Sequence, residues 1–150
     1  MQESDKLTRQ EILAEYTDDA KALMKYLPWL EKYDGQDVTS NYTGERISEH
    51  SITFPVYDST LLGFVKTVQK TKFLNKNYVY TFSKYMLKTP ADELAQVEKC
   101  TLRDMRILGD ILSKYVLKGM TKSTVWTEGL QEGIYLAVLQ KMKVLLEIRP

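Results

Sequence analysis

Apolar residues recur at helical spacing along most of this chain, and they are densest in its last third, between Thr101 and Leu146. That stretch predicts two amphipathic helices joined by a short polar turn. Thr101 and Asp104 have the spacing of a capping box, in which each side chain meets the other residue's free backbone N–H. Met105, Leu108, Ile111, Leu112, Tyr115 and Val116 then fall on one face, with Arg103, Arg106, Asp110, Lys114 and Lys118 on an opposite, solvated side. Lys118 and Gly119 predict a left-handed C-terminal stop, and residues 120–124 the turn. The second helix is entered at Ser123 or Thr124. Its apolar set, Trp126, Leu130, Ile134, Val138, Leu139, Met142, Leu145 and Leu146, covers a broad arc and predicts a central helix. Gly129 and Gly133 share one of its faces and predict the close approach of another backbone.

Upstream, Thr8 with Glu11 predicts a capped helix carrying Ile12, Leu13 and Tyr16, and Thr17 offers the cap of another. Ala20, Leu23, Leu27 and Leu30 continue the spacing, while Pro28 predicts a kink or a restart and Asp34-Gly35 the end of the segment. Between Gln36 and Ser51 the pattern weakens to a loop or a poorly defined hairpin, with a turn at Thr43-Gly44-Glu45. Ile52 to Tyr57 alternates at first, but Pro55 limits it to an edge strand or an extended strap. Asp58 or Ser59 caps a helix with Leu61, Leu62, Val65 and Val68, and Phe64 lies near the same face. After a turn at Asn75-Lys76-Asn77, the β-branched and aromatic run from Tyr78 to Phe82 predicts a short strand. Thr89-Pro90 caps one more short helix before the C-terminal pair.

These elements predict one globular domain over residues 1–150, mainly α with a small β element (α+β), built as a compact helical domain around a C-terminal helical hairpin. At 150 residues the chain is long enough to bury about two-thirds of the surface its unfolded form exposes. Twenty-one basic side chains against 20 acidic ones leave a net charge of +1, which gives no long-range attraction to nucleic acid or to an acidic membrane. The single cysteine, Cys100, excludes an intrachain disulfide and a cysteine-based zinc site, and it fits a reducing compartment. No apolar run has the length of a membrane span and the start is polar and acidic, so the cytoplasm is the expected location, with no membrane partner.

Pro55-Val56-Tyr57 followed by a helix with Phe64, the aromatic turn around Phe73 and Tyr78, and the stretch from Ile111 to Met142 resemble the bacterial and phage family called domain of unknown function 6508. Trp126 and Gly133 fit that family's spacing. Where its members carry two polar runs, this chain has residues 117–121 and 123–125, so an activity borne by those runs is not expected here. The resemblance implies no biochemical function.

The candidate chemistry is sparse. The one histidine, His50, lies between Glu49 and Ser51, and consecutive side chains diverge where catalytic groups must converge, so it reads as a solvated loop residue. Asp18-Asp19 and Asp92-Glu93 fall at predicted helix starts, where dipole effects account for them, and no glycine pattern cradles a phosphate. No catalytic residue, metal site or cofactor is predicted. The strongest local charge is Lys66, Lys70, Lys72 and Lys76 beside Phe73, Tyr78 and Tyr80, a pattern open to single-stranded nucleic acid as well as to an ordinary solvated face. Ten tyrosines fit protein recognition, since Tyr brings large contact area with a polar tip. The leading reading is a non-enzymatic protein-binding adaptor or inhibitor encoded by a bacterium, phage or mobile element. Its candidate contact residues are Tyr42, Arg46, His50, Tyr57, Lys72, Lys76, Tyr78 and Tyr80. Nucleic-acid binding through the lysine–aromatic segment is the alternative, and a hydrolase or transferase with a carboxylate site comes third.

Overall fold

The computed structural model describes residues 8–35, 40–43, 53–56, 59–122 and 124–148, and among them helices dominate. In chain order these are α1 (Arg9–Met24), α2 (Leu27–Tyr33), α3 (Ser59–Gln69), α4 (Tyr78–Lys84), α5 (Pro90–Lys99), α6 (Met105–Lys118), α7 (Thr124–Gln131) and α8 (Ile134–Leu145). A 3-10 turn, Leu102–Asp104, leads into α6. Between α2 and α3 the backbone of β1 (Ser40–Thr43) runs antiparallel to β2 (Thr53–Val56), with Ser40 opposite Val56. The fold class is helical. The expected turn at Thr43-Gly44-Glu45 lies outside the described residues.

α6 is at the centre, with α3, α4, α5, α7 and α8 packed around it. Its expected apolar face is buried throughout: Met105, Leu108, Ile111, Leu112, Tyr115 and Val116. Its expected solvated side is solvated at Arg103, Arg106 and Lys118 but not throughout. Asp110 and Ser113 are buried as well, and Lys114 is only 20% exposed, because α4 and α5 cover a surface that a two-helix picture leaves open. α8 shares the centre. It buries Ile134, Tyr135, Val138, Leu139 and Met142 and touches α1, α2, α5, α6 and α7.

The single long C-terminal helix expected after residue 124 is instead two. Gly133 takes a left-handed conformation, φ 76°, that ends α7 and starts α8 at a new angle. This turn brings the Tyr135 ring back over Gly129, where an added Cβ would stand 2.3 Å from the ring. The Tyr135 hydroxyl donates to the Trp126 carbonyl at 2.7 Å. Thus Gly129 makes room for a side chain rather than for a second backbone. Gly119 also departs from expectation: its φ is −65°, right-handed, and it is small because the Trp126 ring occupies the space of a Cβ.

Two further boundaries move. Thr17 caps nothing, since α1 runs unbroken through it from the Thr8–Glu11 capping box. The restart at Pro28 is present, with Pro28 in the first turn of α2, where a missing N–H is harmless. The strand expected over Tyr78–Phe82 is α4. Neighbours account for the difference: Thr81 donates to the buried Asp110 of α6, and Lys114 lies over the Phe82 ring at 5.2 Å, contacts that a β-rich sequence finds only in helical form.

Candidate functional site

α4 has no buried residue, an unusual state for a helix packed beside the centre of a domain. Its inner face is half-buried, held by two contacts to α6 and braced by a third inside the helix. Thr81 donates to Asp110, Phe82 lies under the Lys114 ammonium, and Tyr78 meets Phe82 edge to face at 5.8 Å. Its end is a Schellman turn: the Leu87 N–H donates to the Phe82 carbonyl at 2.9 Å, and Met86 is left-handed at φ 56°. A methionine there bears the steric penalty that a glycine avoids.

The outer face is apolar. Val79 is 61% exposed, Tyr80 78% and Met86 66%, with Tyr85 also exposed, so four of the six large exposed hydrophobic side chains among the described residues lie in eight consecutive positions. Tyr80, Thr81, Lys84 and Tyr85 form one wall of an open cleft of about 440 Å³, and Arg106 and Ile107 of α6 form the other. Among the described residues no carboxylate lines it.

The floor that holds this cleft is a hydrogen-bonded cluster. Asp110, 1% exposed, accepts from Asn75 Nδ2 at 2.8 Å and from the Thr81 hydroxyl. The Asn75 N–H donates to Ser113 Oγ at 2.8 Å, and the one hydroxyl hydrogen of Ser113 is shared between the Gly109 and Phe73 carbonyls, whose oxygens lie 2.8 and 3.1 Å from Oγ. Gly109 permits that approach, because a Cβ on it would stand 2.7 Å from the Phe73 carbonyl oxygen. A second buried cluster ties α5 to α6. Glu93, fully buried, accepts from Lys114 Nζ at 2.5 Å and from the Tyr115 hydroxyl. Burial, then the bond to Glu93, push the Tyr115 phenol well above its usual pKa, so it stays protonated and donates. Both clusters have their polar groups paired with protein, which is what scaffold polar groups require.

Of the residues expected to make contacts, Arg46, His50 and Tyr57 lie outside the described residues, and only the backbone of Tyr42 is described. Lys72 stays exposed but is engaged by α1: its N–H donates to Asp19 at 2.8 Å, and its ammonium reaches the Glu15 carbonyl at 3.3 Å. Phe73 is buried and stacks on Tyr16 at 5.4 Å. Tyr78 is half-buried on the inner face, whereas Lys76 and Tyr80 are exposed. The structure therefore leaves Lys76 and Tyr80 exposed and turns Lys72, Phe73 and Tyr78 to other uses. Val79, Lys84, Tyr85, Met86 and Arg106 were missed, because a strand reading sends alternate residues of 78–82 inward. For residues 79–86 the signal was the absence of any Asp or Glu between 59 and 91, whereas Arg106, between Asp104 and Asp110, carried none.

A second apolar recess of about 670 Å³ lies between α2 and α8, beside the exposed Val144. Its rim pairs charges locally, as in the Arg9–Glu147 contact. Cys100 is buried at the end of α5, and that burial pushes its thiol up to about 11, leaving it protonated and unreactive near neutrality. Among the described residues no three His, Cys, Asp or Glu side chains cluster as metal ligands would, and no helix is long and apolar enough to cross a membrane. No family model matches the chain, and neither a curated protein nor a solved structure matches it.

Proposed function

We propose that this protein is a non-enzymatic binding protein, an adaptor or inhibitor encoded by a bacterium, phage or mobile element, and that it docks a partner protein on the outer face of α4. The observation that supports this most is the exposure of Val79, Tyr80, Tyr85 and Met86 along one short helix and the turn that ends it. Contiguous exposed apolar side chains rimmed by polar groups mark interaction sites, and Tyr, Met and Arg are enriched at the centres of protein interfaces. The chain acts in the cytoplasm on this reading, and the family resemblance and the short β pairing of an α+β domain belong to it too.

The alternative, single-stranded nucleic acid on the lysine–aromatic segment, needs stacking faces beside free cations. Phe73 is buried, Tyr78 packs on Phe82, and Lys72 is engaged by α1, so that segment offers Tyr80 alone as an open ring. The test is quantitative affinity capture from a bacterial host with the wild-type chain, Tyr80→Ser/Met86→Ser, and Val144→Ser as a control on the far recess. All three substitutions replace exposed residues, so stability is expected to change by no more than about 0.5 kcal/mol each. The reading expects proteins retained by wild type and by Val144→Ser but lost from the α4 variant. Retention by all three chains refutes the site.

A further inference from the structure

We infer that the partner surface received at α4 is acidic, a segment that sets an apolar anchor into the cleft and places carboxylates against its basic rim. The inference rests on the docking site proposed above and adds the chemistry of its occupant.

Charge along the chain is strongly uneven. Residues 59–91 contain six lysines and no Asp or Glu, within a protein whose total is only +1. Folding places α4 and its flanking turns at the end of this run, then adds Arg106 from α6 across the cleft. Lys72 is answered by Glu15, but among the described residues no carboxylate pairs with Lys76, Lys84 or Arg106. Asp110, one helical turn from Arg106 on α6, is buried and accepts from Asn75 and Thr81. A cleft walled by Lys84 and Arg106, with no carboxylate among its described lining residues, presents mainly positive charge, although Arg106 also borders an adjoining recess lined by Asp110, and complementary potential steers a partner of the opposite sign and fixes its register.

The apolar part selects protein over phosphate. Val79 and Met86 are aliphatic and offer no face for base stacking, while aliphatic and aromatic surface beside a guanidinium is the usual setting of an interface anchor. Arg106 on the cleft wall suits a carboxylate, which its planar fork can hold through two bonds.

Fluorescence anisotropy with three labelled probes tests this: a 16-residue peptide of alternating Glu and Leu blocks, the same peptide with Gln for Glu, and a 16-nucleotide oligothymidine. The expected result is binding of the Glu/Leu peptide that weakens as salt rises from 50 to 300 mM, with the Gln/Leu peptide about tenfold weaker. Lys84→Glu/Arg106→Glu is expected to weaken the Glu/Leu peptide by about tenfold or more, while Lys143→Glu on the far recess leaves it unchanged. Three results overturn the inference: no binding of the acidic peptide at 50 mM salt, equal binding of the Gln/Leu peptide, or tighter binding of the oligothymidine. If the charge reversal has no effect but Tyr80→Ser/Met86→Ser abolishes binding, the acidic chemistry fails and the docking site stands. If neither variant matters, both fail.

Discussion

Gly109→Ala sets two large effects against each other at a single atom. On propensity alone, alanine in place of glycine in a helix interior stabilises by about 1 kcal/mol. In α6, however, the new Cβ would meet the Phe73 carbonyl oxygen at 2.7 Å, with Phe73 Cα at 3.1 Å and Cβ at 3.2 Å. That is roughly 0.7 Å inside ordinary contact, and the obstacle is backbone, which cannot rotate away as a side-chain tip can. Overpacking of this kind costs about 1–3 kcal/mol. The same carbonyl accepts from Ser113 at 3.1 Å, so moving it also weakens a buried bond whose loss is worth about 1 kcal/mol. The net expectation is destabilisation by about 1–3 kcal/mol, or about 2–4 °C of Tm for each kcal/mol in a domain of this size. Gly63→Ala is the control. Its nearest obstacle is the Tyr26 hydroxyl at 3.1 Å, the far end of a side chain, so its stability should stay within about 1 kcal/mol of wild type. Urea denaturation of both variants, read by circular dichroism, decides the matter. A Gly109→Ala chain as stable as wild type, with an unchanged m-value, would refute the claim that α6 and the 71–75 turn meet backbone to helix.

Lys114→Ala leaves Glu93 buried with one partner fewer and should cost about 3 kcal/mol, whereas Glu93→Leu/Lys114→Leu should cost clearly less; equal losses in urea melts would contradict the buried pair. Met86→Gly relieves a left-handed methionine and is expected to raise stability by about 1 kcal/mol while weakening partner capture, so a drop in Tm would argue against the Schellman turn. Iodoacetamide at pH 8 should modify Cys100 at least about tenfold faster in urea than in buffer, since burial keeps its thiol protonated and covered. The pH dependence has a definite sign. The folded thiol holds its proton up to about 11 and the ordinary value is 9.0, so its contribution to stability is complete below 9.0 and is lost as pH rises from there through about 11.

The sequence by itself determined the local punctuation. Thr8 with Glu11, Thr89 with Asp92 and Thr101 with Asp104 are capping boxes that need only their own four residues, and all three form. It also determined the apolar face of α6 and the restart at Pro28, because spacing along one element and a missing N–H are properties of a few neighbouring residues. It could not show that Asp110 and Lys114 are buried, since their covers, Thr81 and Phe82 on α4 and Glu93 on α5, stand 21 to 32 residues away in sequence. Nor could it show that Tyr78–Phe82 is helical. β-branched and aromatic residues prefer strands only when a sheet is there to receive them, and here the receiving surface is α6. The same packing decided the candidate site: once the inner face of α4 is taken up by Asp110 and Lys114, Val79, Tyr80 and Met86 have no core left to enter and remain exposed.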